Sequence, residues 1–215
     1  DRVQSDEFKS SIRFYGNMRD IVDWPRCGDW PHGEDDHYHL TDYNTVVNAF
    51  HYRALVILQQ MALLTNRTAE AEALQQECQS LREAFNELLF DAENGVYRDG
   101  VDSDHVTLHS NLFPLALGLV DKVYQDDVMD YIRSRGLVCS VYAAQFLMDA
   151  VYGAGDGDYG LHLLTKEDER SWYNMVRHGA TMTYEAWADK FKNNQDWNHA
   201  WGAAPANVIP RYVVG

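Results

Sequence analysis

Glu185 stands in a C-terminal stretch whose residue types could do chemistry together: Thr181-Met182-Thr183-Tyr184-Glu185-Ala186-Trp187, then Asn193-Asn194-Gln195-Asp196-Trp197-Asn198-His199-Ala200-Trp201-Gly202. Indole rings cover the apolar faces of a pyranose, while carboxylate, amide and imidazole groups bind its hydroxyls. On that chemistry Trp187, Trp197, His199 and Trp201 are candidate sugar contacts around Glu185. The plainer reading is a helix end whose tryptophans belong to the core and whose Glu185 is solvated.

A second stretch is Asp23-Trp24-Pro25-Arg26-Cys27-Gly28-Asp29-Trp30-Pro31-His32-Gly33-Glu34-Asp35-Asp36-His37-Tyr38, too rich in Pro and Gly for a helix. Crowding Asp29, Glu34, Asp35 and Asp36 in one loop makes simultaneous ionisation costly, so at least one carboxyl should have a raised pKa. That is how a general acid is made near neutral pH. Trp24 and Trp30 separate this loop from an ordinary solvated acidic run.

Other chemistries fare worse. His32, His37 and His39 with Asp35 or Asp36 invite a metal reading, but no HExxH or comparable ligand spacing is present, and neither a metal nor a cofactor is expected. Gly153-Ala154-Gly155-Asp156-Gly157 lacks the Lys-Ser/Thr of a phosphate loop and places an acid where the anion would sit, so it reads as a turn between helices. Gly-x-Ser-x-Gly is absent, and no cysteine has a neighbouring histidine. Cys27, Cys78 and Cys139 form no disulfide framework or zinc-thiolate set, and Cys78 reads as core.

The elements that must carry these residues are helical. With 215 residues, 46% of them hydrophobic, the chain suits one domain, and a net charge of −15 disfavours nucleic acid and anionic membranes as partners. Val47, Phe50, Ala54, Ile57 or Leu58, and Met61 form one apolar stripe; Leu74, Cys78, Leu81, Phe85 and Leu88 form the next. The two predict an antiparallel helical hairpin, with Asn66 or Thr68 capping the second helix and Asn94-Gly95 ending it. Further helices are expected near 5–20, 107–119, 125–135, 140–153, 156–165, 168–177 and 199–213, with Pro114 bending or beginning one. Strand is confined to pieces such as Gly95-Val96-Tyr97-Arg98. This is an all-α chain of successive helical pairs, with its polar and aromatic residues in the connections.

Taken together, the segments resemble the catalytic domain of inverting α-L-rhamnosidases, an (α/α)6 toroid family. The likeness rests on Asp29-Trp30-Pro31-His32-Gly33-Glu34, Asn44-Thr45-Val46-Val47-Asn48-Ala49-Phe50, His109-Ser110-Asn111-Leu112-Phe113-Pro114-Leu115-Ala116, Ser140-Val141-Tyr142-Ala143-Ala144-Gln145-Phe146 and Glu169-Arg170-Ser171-Trp172-Tyr173-Asn174-Met175, and on the C-terminal stretch, all in the same order. The resemblance implies that Glu34, in the pattern Asp-x-Pro-x-x-Glu, is the general acid. It implies equally that Glu185 is the base, that His199 contacts the sugar, and that Asp29 and Asp36 bind substrate. Trp30 joins them as a sugar contact or as an apolar wall for Glu34, a part Trp197 could also play. The implied partner is a rhamnose-containing glycoside or oligosaccharide.

The chain departs from the family in two places. Asp23-Trp24-Pro25-Arg26 is a second Asp-Trp-Pro, though only the copy at Asp29 keeps Glu at the right distance, and Asp35-Asp36-His37-Tyr38 stands where many relatives have Arg-Asp-Gly-Tyr. Twelve helices at ~12 residues each, plus loops, need well over ~300 residues. Residues 1–215 are therefore expected to be the C-terminal two-thirds of the catalytic domain, completed by further helices or domains of a parent chain. The same features leave two alternatives open: a sugar-binding or vestigial helical module, and a toroid enzyme acting on another sugar.

Overall fold

The computed structural model describes residues 34–215, and the helix expected over 5–20 lies outside the described residues, as do Asp29 and Trp30. Two long helices come first: α1 over Thr45–Leu64 and α2 over Thr68–Leu89. A two-stranded hairpin follows, β1 Phe90–Asp91 and β2 Val96–Tyr97, with Phe90 opposite Tyr97 and Asp91 opposite Val96. Six shorter helices complete the described chain: α3 Leu108–Leu117, α4 Gln125–Arg135, α5 Ala143–Gly153, α6 Gly157–Thr165, α7 Trp172–Arg177 and α8 Ala204–Val208. The all-α reading holds, and none of the described helices is long and apolar enough to cross a membrane.

Helix α1 starts where Asn44 turns its side-chain oxygen onto the N–H groups of Val46 and Val47, at 3.0 and 3.2 Å. Its buried face differs from the expected stripe. Val46, Ala49, Leu55 and Ala62 are buried, whereas Ile57, Leu58 and Met61 stay exposed at 42 to 56% and Val47 and Phe50 are only half-buried. The helix is apolar on two sides, so periodicity cannot choose between them. Packing buries the positions of Val46, Ala49, Leu55 and Ala62 in place of that stripe.

On α2 the expected stripe faces inward, with Leu81 and Phe85 buried and Leu74, Cys78 and Leu88 half-buried. Cys78 is thus a margin residue of the core. The hairpin of α1 and α2 is closed by Asn66 in the left-handed region, φ 58°. Arg67 occupies the N-cap position without a side-chain cap bond, and Thr68 is the first helical residue. Asn94-Gly95 does not end α2, which stops at Leu89; these residues turn the β-hairpin, and Asp91 accepts from the N–H groups of Glu93 and Asn94.

Helix α3 runs through the centre of the packing, with Leu108, Leu112, Phe113 and Leu117 all buried. Pro114 neither bends a helix into two nor begins one. It sits in the second half of α3, which ends at Gly118 with φ 87°. The rings of Phe50, Phe113 and Phe146 lie 5.1 to 5.4 Å apart and tie α1, α3 and α5 together. The expected helix over 168–177 begins only at Trp172, capped by Ser171. The last one is split into a 3-10 turn at Ala200–Gly202, α8 and a π-helical turn at Ile209–Val214.

Thr107 caps α3 by accepting from Ser110 N at 3.3 Å, and donates its own hydroxyl to Asp99 at 2.7 Å. Both ends of this arrangement are buried. Thr107→Ala is expected to lower unfolding free energy by about 2 kcal/mol, from the lost cap and the carboxylate left short of a donor, measurable as a lower urea midpoint at unchanged slope.

Candidate active site

Glu34 lies against the segment that carries Glu185, close enough for the charge of Glu185 to act on it, although the chain separates the two widely. Glu34 is fully buried, and one of its oxygens, Oε1, accepts a hydrogen bond from the backbone N–H of Trp187 at 3.3 Å. Trp187 is two residues beyond Glu185, so this bond brings the acid loop against the segment that carries Glu185. The other oxygen of Glu34, Oε2, is buried and has no hydrogen-bond partner among the described residues. Burial drives the Glu34 pKa up to about 7, and the Glu185 charge adds to the rise, against the lowering effects of the Trp187 N–H, Arg170 and Lys192.

Glu185 is nearly buried but differently partnered. Lys192 Nζ donates to Oε1 at 2.7 Å and the N–H of Asp196 donates to Oε2 at 3.0 Å. Burial alone would raise its pKa. The Lys192 hydrogen bond, the Asp196 N–H and the charges of Lys192 and His199 outweigh that effect and hold the carboxyl below its ordinary value. Near neutrality one carboxyl thus keeps a proton within reach of titration and the other is charged.

The segment that carries Glu185 is held rigidly. Its two limbs run alongside each other, with Glu185 N–H donating to Asp196 O at 3.0 Å and His199 N–H to Thr183 O at 2.7 Å. Thr183 Oγ1 donates back to His199 O at 2.7 Å, and Gln195 Oε1 accepts from Ala186 N at 3.1 Å. Gly202 closes the far end, where an added Cβ would sit 2.8 Å from both the Thr183 Cβ and the Tyr184 carbonyl oxygen, so only glycine allows this approach.

The expected sugar contacts divide. Trp187 has no exposed ring face: it is fully buried, donates from Nε1 to Cys139 O at 2.6 Å and meets Trp172 edge to face at 5.1 Å. Its expected part as an indole stacked on sugar gives way to a core part, because a side chain packed on every side has no surface for a ligand. Trp197 is 57% exposed and packs on Tyr184 at the rim of a cleft of about 420 Å³ lined by Asn174, Arg177, His178 and Gln195 but by neither Glu34 nor Glu185.

His199 lies close enough to Glu185 for its charge to act on it, and Trp201 packs on His199. Their rings are 4.6 Å apart, Trp201 also packs on Tyr142 at 5.8 Å, and His199 Nδ1 accepts from Trp201 N at 3.2 Å. His199 acts electrostatically on Glu185.

Asp36 is buried and its carboxylate is engaged. Oδ2 accepts from Leu108 N at 2.7 Å and from Arg135 Nε at 3.1 Å, and Arg135 Nη2 bonds to Oδ1. These contacts clamp the acid loop onto the first turn of α3 and onto α4, so Asp36 fixes the loop's position. Asp36 and His37 both have left-handed backbones, φ 49° and 61°. His39 stacks on His105 at 3.9 Å, and His105 Nδ1 lies 2.7 Å from Asp99. Among the described residues no group of three or more His, Cys, Asp or Glu is placed to hold a metal ion.

Arg170 and Lys192 act on the two carboxyls and were not singled out from the sequence. The signal is weak, because a Lys seven residues beyond a Glu is not at the i,i+3 or i,i+4 spacing that marks a helical ion pair.

Residues 10–213 match the model of the bacterial alpha-L-rhamnosidase 6 hairpin glycosidase domain. The chain belongs to this family. A curated relative in it, the alpha-L-rhamnosidase of Alteromonas sp. (strain LOR), is 25% identical over 217 residues, covering 96% of this chain and 23% of its own length. Two solved structures share the fold. A rhamnosidase of Bacillus sp. GL1 has a TM-score of 0.72 at 22% identity, covering 94% of this chain and 21% of its own, and a rhamnosidase from Klebsiella oxytoca has a TM-score of 0.71 at 19% identity, covering 99% and 41%. The chain thus spans about a quarter of the length of the curated relative it matches. Within the family's helical domain, the segment around Trp187 is what joins Glu34 to Glu185.

Trp187→Phe is expected to cost about 2 to 3 kcal/mol, since Cys139 O loses a buried donor and the smaller ring leaves a void. Thermal unfolding measures this. A variant of unchanged stability would mean that the indole is not held as described.

Proposed function

We propose that this domain hydrolyses terminal α-L-rhamnosides by single displacement with inversion. The observation that carries the reading is the pair of unlike carboxyls: a buried Glu34 with an Oε2 unpartnered among the described residues and a pKa of about 7, and a Glu185 held charged by Lys192 and a backbone N–H. In this reading Glu34 gives its proton to the glycosidic oxygen as the bond to the anomeric carbon breaks. Glu185 takes a proton from the water that attacks the opposite face, so charge builds on neither alone. His199 and Trp201 contact the sugar in this reading, as do Asp29 and Trp30. Rhamnose suits such a wall because its methyl group and ring faces are apolar while its hydroxyls need polar partners.

The membership of the chain in a rhamnosidase family and the rhamnose bound in the Klebsiella oxytoca structure support rhamnose as the sugar. The length of the relatives supports a parent chain with further helices or domains around residues 1–215.

Two measurements test the reading. Glu34→Gln and Glu185→Gln, in the full-length chain, should each lower turnover of an aryl α-L-rhamnoside by about 10² to 10⁴-fold, and proton NMR of the first product should show the β anomer. A Glu185→Gln variant with near-normal turnover would remove Glu185 as base. The pH profile of kcat/KM should be bell-shaped. Its alkaline limb lies near 7, where Glu34 loses its proton, and its acidic limb falls below the ordinary glutamate value, where Glu185 gains one.

A further inference from the structure

Two carboxyls that feel each other's charge tend to share a proton rather than divide the roles of acid and base. Something must break the symmetry, and the cation nearest to Glu185 is well placed for it. Lys192 Nζ and Glu185 Oε1 are 2.7 Å apart, and the two side chains are only 12% and 11% exposed. At that burial the pair is poorly screened by solvent and salt.

The position of Lys192 is set by the fold around it. Its carbonyl accepts from Gln195 N at 3.2 Å, in the turn that brings Asp196 N–H onto the other oxygen of Glu185. Phe191 beside it is buried, with the Arg170 guanidinium 4.4 Å above its ring. Lys192 therefore faces Glu185 from a fixed side, and the Asp196 N–H holds the carboxylate from the other.

We propose that Lys192 is a positioning residue that assigns the roles: it orients Glu185 and keeps its charge, leaving Glu34 as the only proton carrier of the pair. The proposal rests on the acid–base reading of Glu34 and Glu185. The charged groups that act on Glu185 are Lys192 and His199; those that act on Glu34 are Arg170, Glu185 and Lys192. Replacing Lys192 leaves His199 and Arg170 in place, so the change reports on Lys192 alone. An opposite charge lowers a carboxyl pKa, so its removal must move the acidic limb of the profile upward.

The test is the pH dependence of kcat/KM on an aryl α-L-rhamnoside, measured in the full-length chain for wild type, Lys192→Met, Lys192→Gln, Lys192→Arg and Glu185→Gln. Lys192→Met should move the acidic limb up by about one pH unit or more, with about 10-fold loss near the wild-type limb. Lys192→Arg, which keeps the charge, should leave the limb within a few tenths of a unit. Lys192→Gln can still donate a hydrogen bond but lacks the charge; it should shift the limb as Met does, and it carries the test if the Met variant does not fold. An unmoved limb in the neutral variants, with Glu185→Gln inactive, overturns the part given to Lys192 alone. An active Glu185→Gln overturns the acid–base reading beneath it.

Discussion

The hydrogen bond from the Trp187 N–H to Glu34 joins parts of the chain 153 residues apart, and the site depends on it. It places the acid loop on the segment that carries Glu185. It also spends one oxygen of Glu34 on the protein while the other remains without a partner among the described residues. The bond can be maintained because the donor is rigid. The Trp187 indole is locked in the core by Cys139 O and by Trp172, whose own Nε1 donates to Gly202 O at 2.7 Å. An indole in the core thus serves the site through its backbone.

From this anchor the electrostatics follow. The two carboxyls differ because their surroundings differ: burial dominates at Glu34, whereas at Glu185 burial is outweighed by a lysine, a backbone donor and the charge of His199 acting together. The family's chemistry, as we read it here, needs that difference more than it needs either group by itself. Asp36 contributes at one remove. Its bonds to Leu108 N and Arg135 hold the acid loop against α3 and α4.

Tryptophan illustrates how composition misleads about location. Three indoles near Glu185 suggested three sugar contacts, yet the structure sends them to three places. Trp187 fills the core, Trp197 stands exposed at the rim of a cleft with Tyr184, and Trp201 packs on the ring of His199. Indole chemistry is the same in all three settings, and only packing distinguishes them. The same holds for α1, where the positions that packing buries are not the stripe expected from periodicity.

The sequence by itself determined the all-α character, the α1–α2 hairpin and the positions of α3 to α6, because periodic apolar residues and capping side chains act over a few residues and can be read locally. It also carried the family likeness, and with it Glu34 and Glu185 as the carboxyls to watch. Tertiary structure alone decided which positions of α1 are buried, which indole is core, that Asp36 clamps a loop, and that Lys192 meets Glu185. Those outcomes rest on contacts between distant segments and on burial, which set both packing and pKa and leave no periodic trace in the chain.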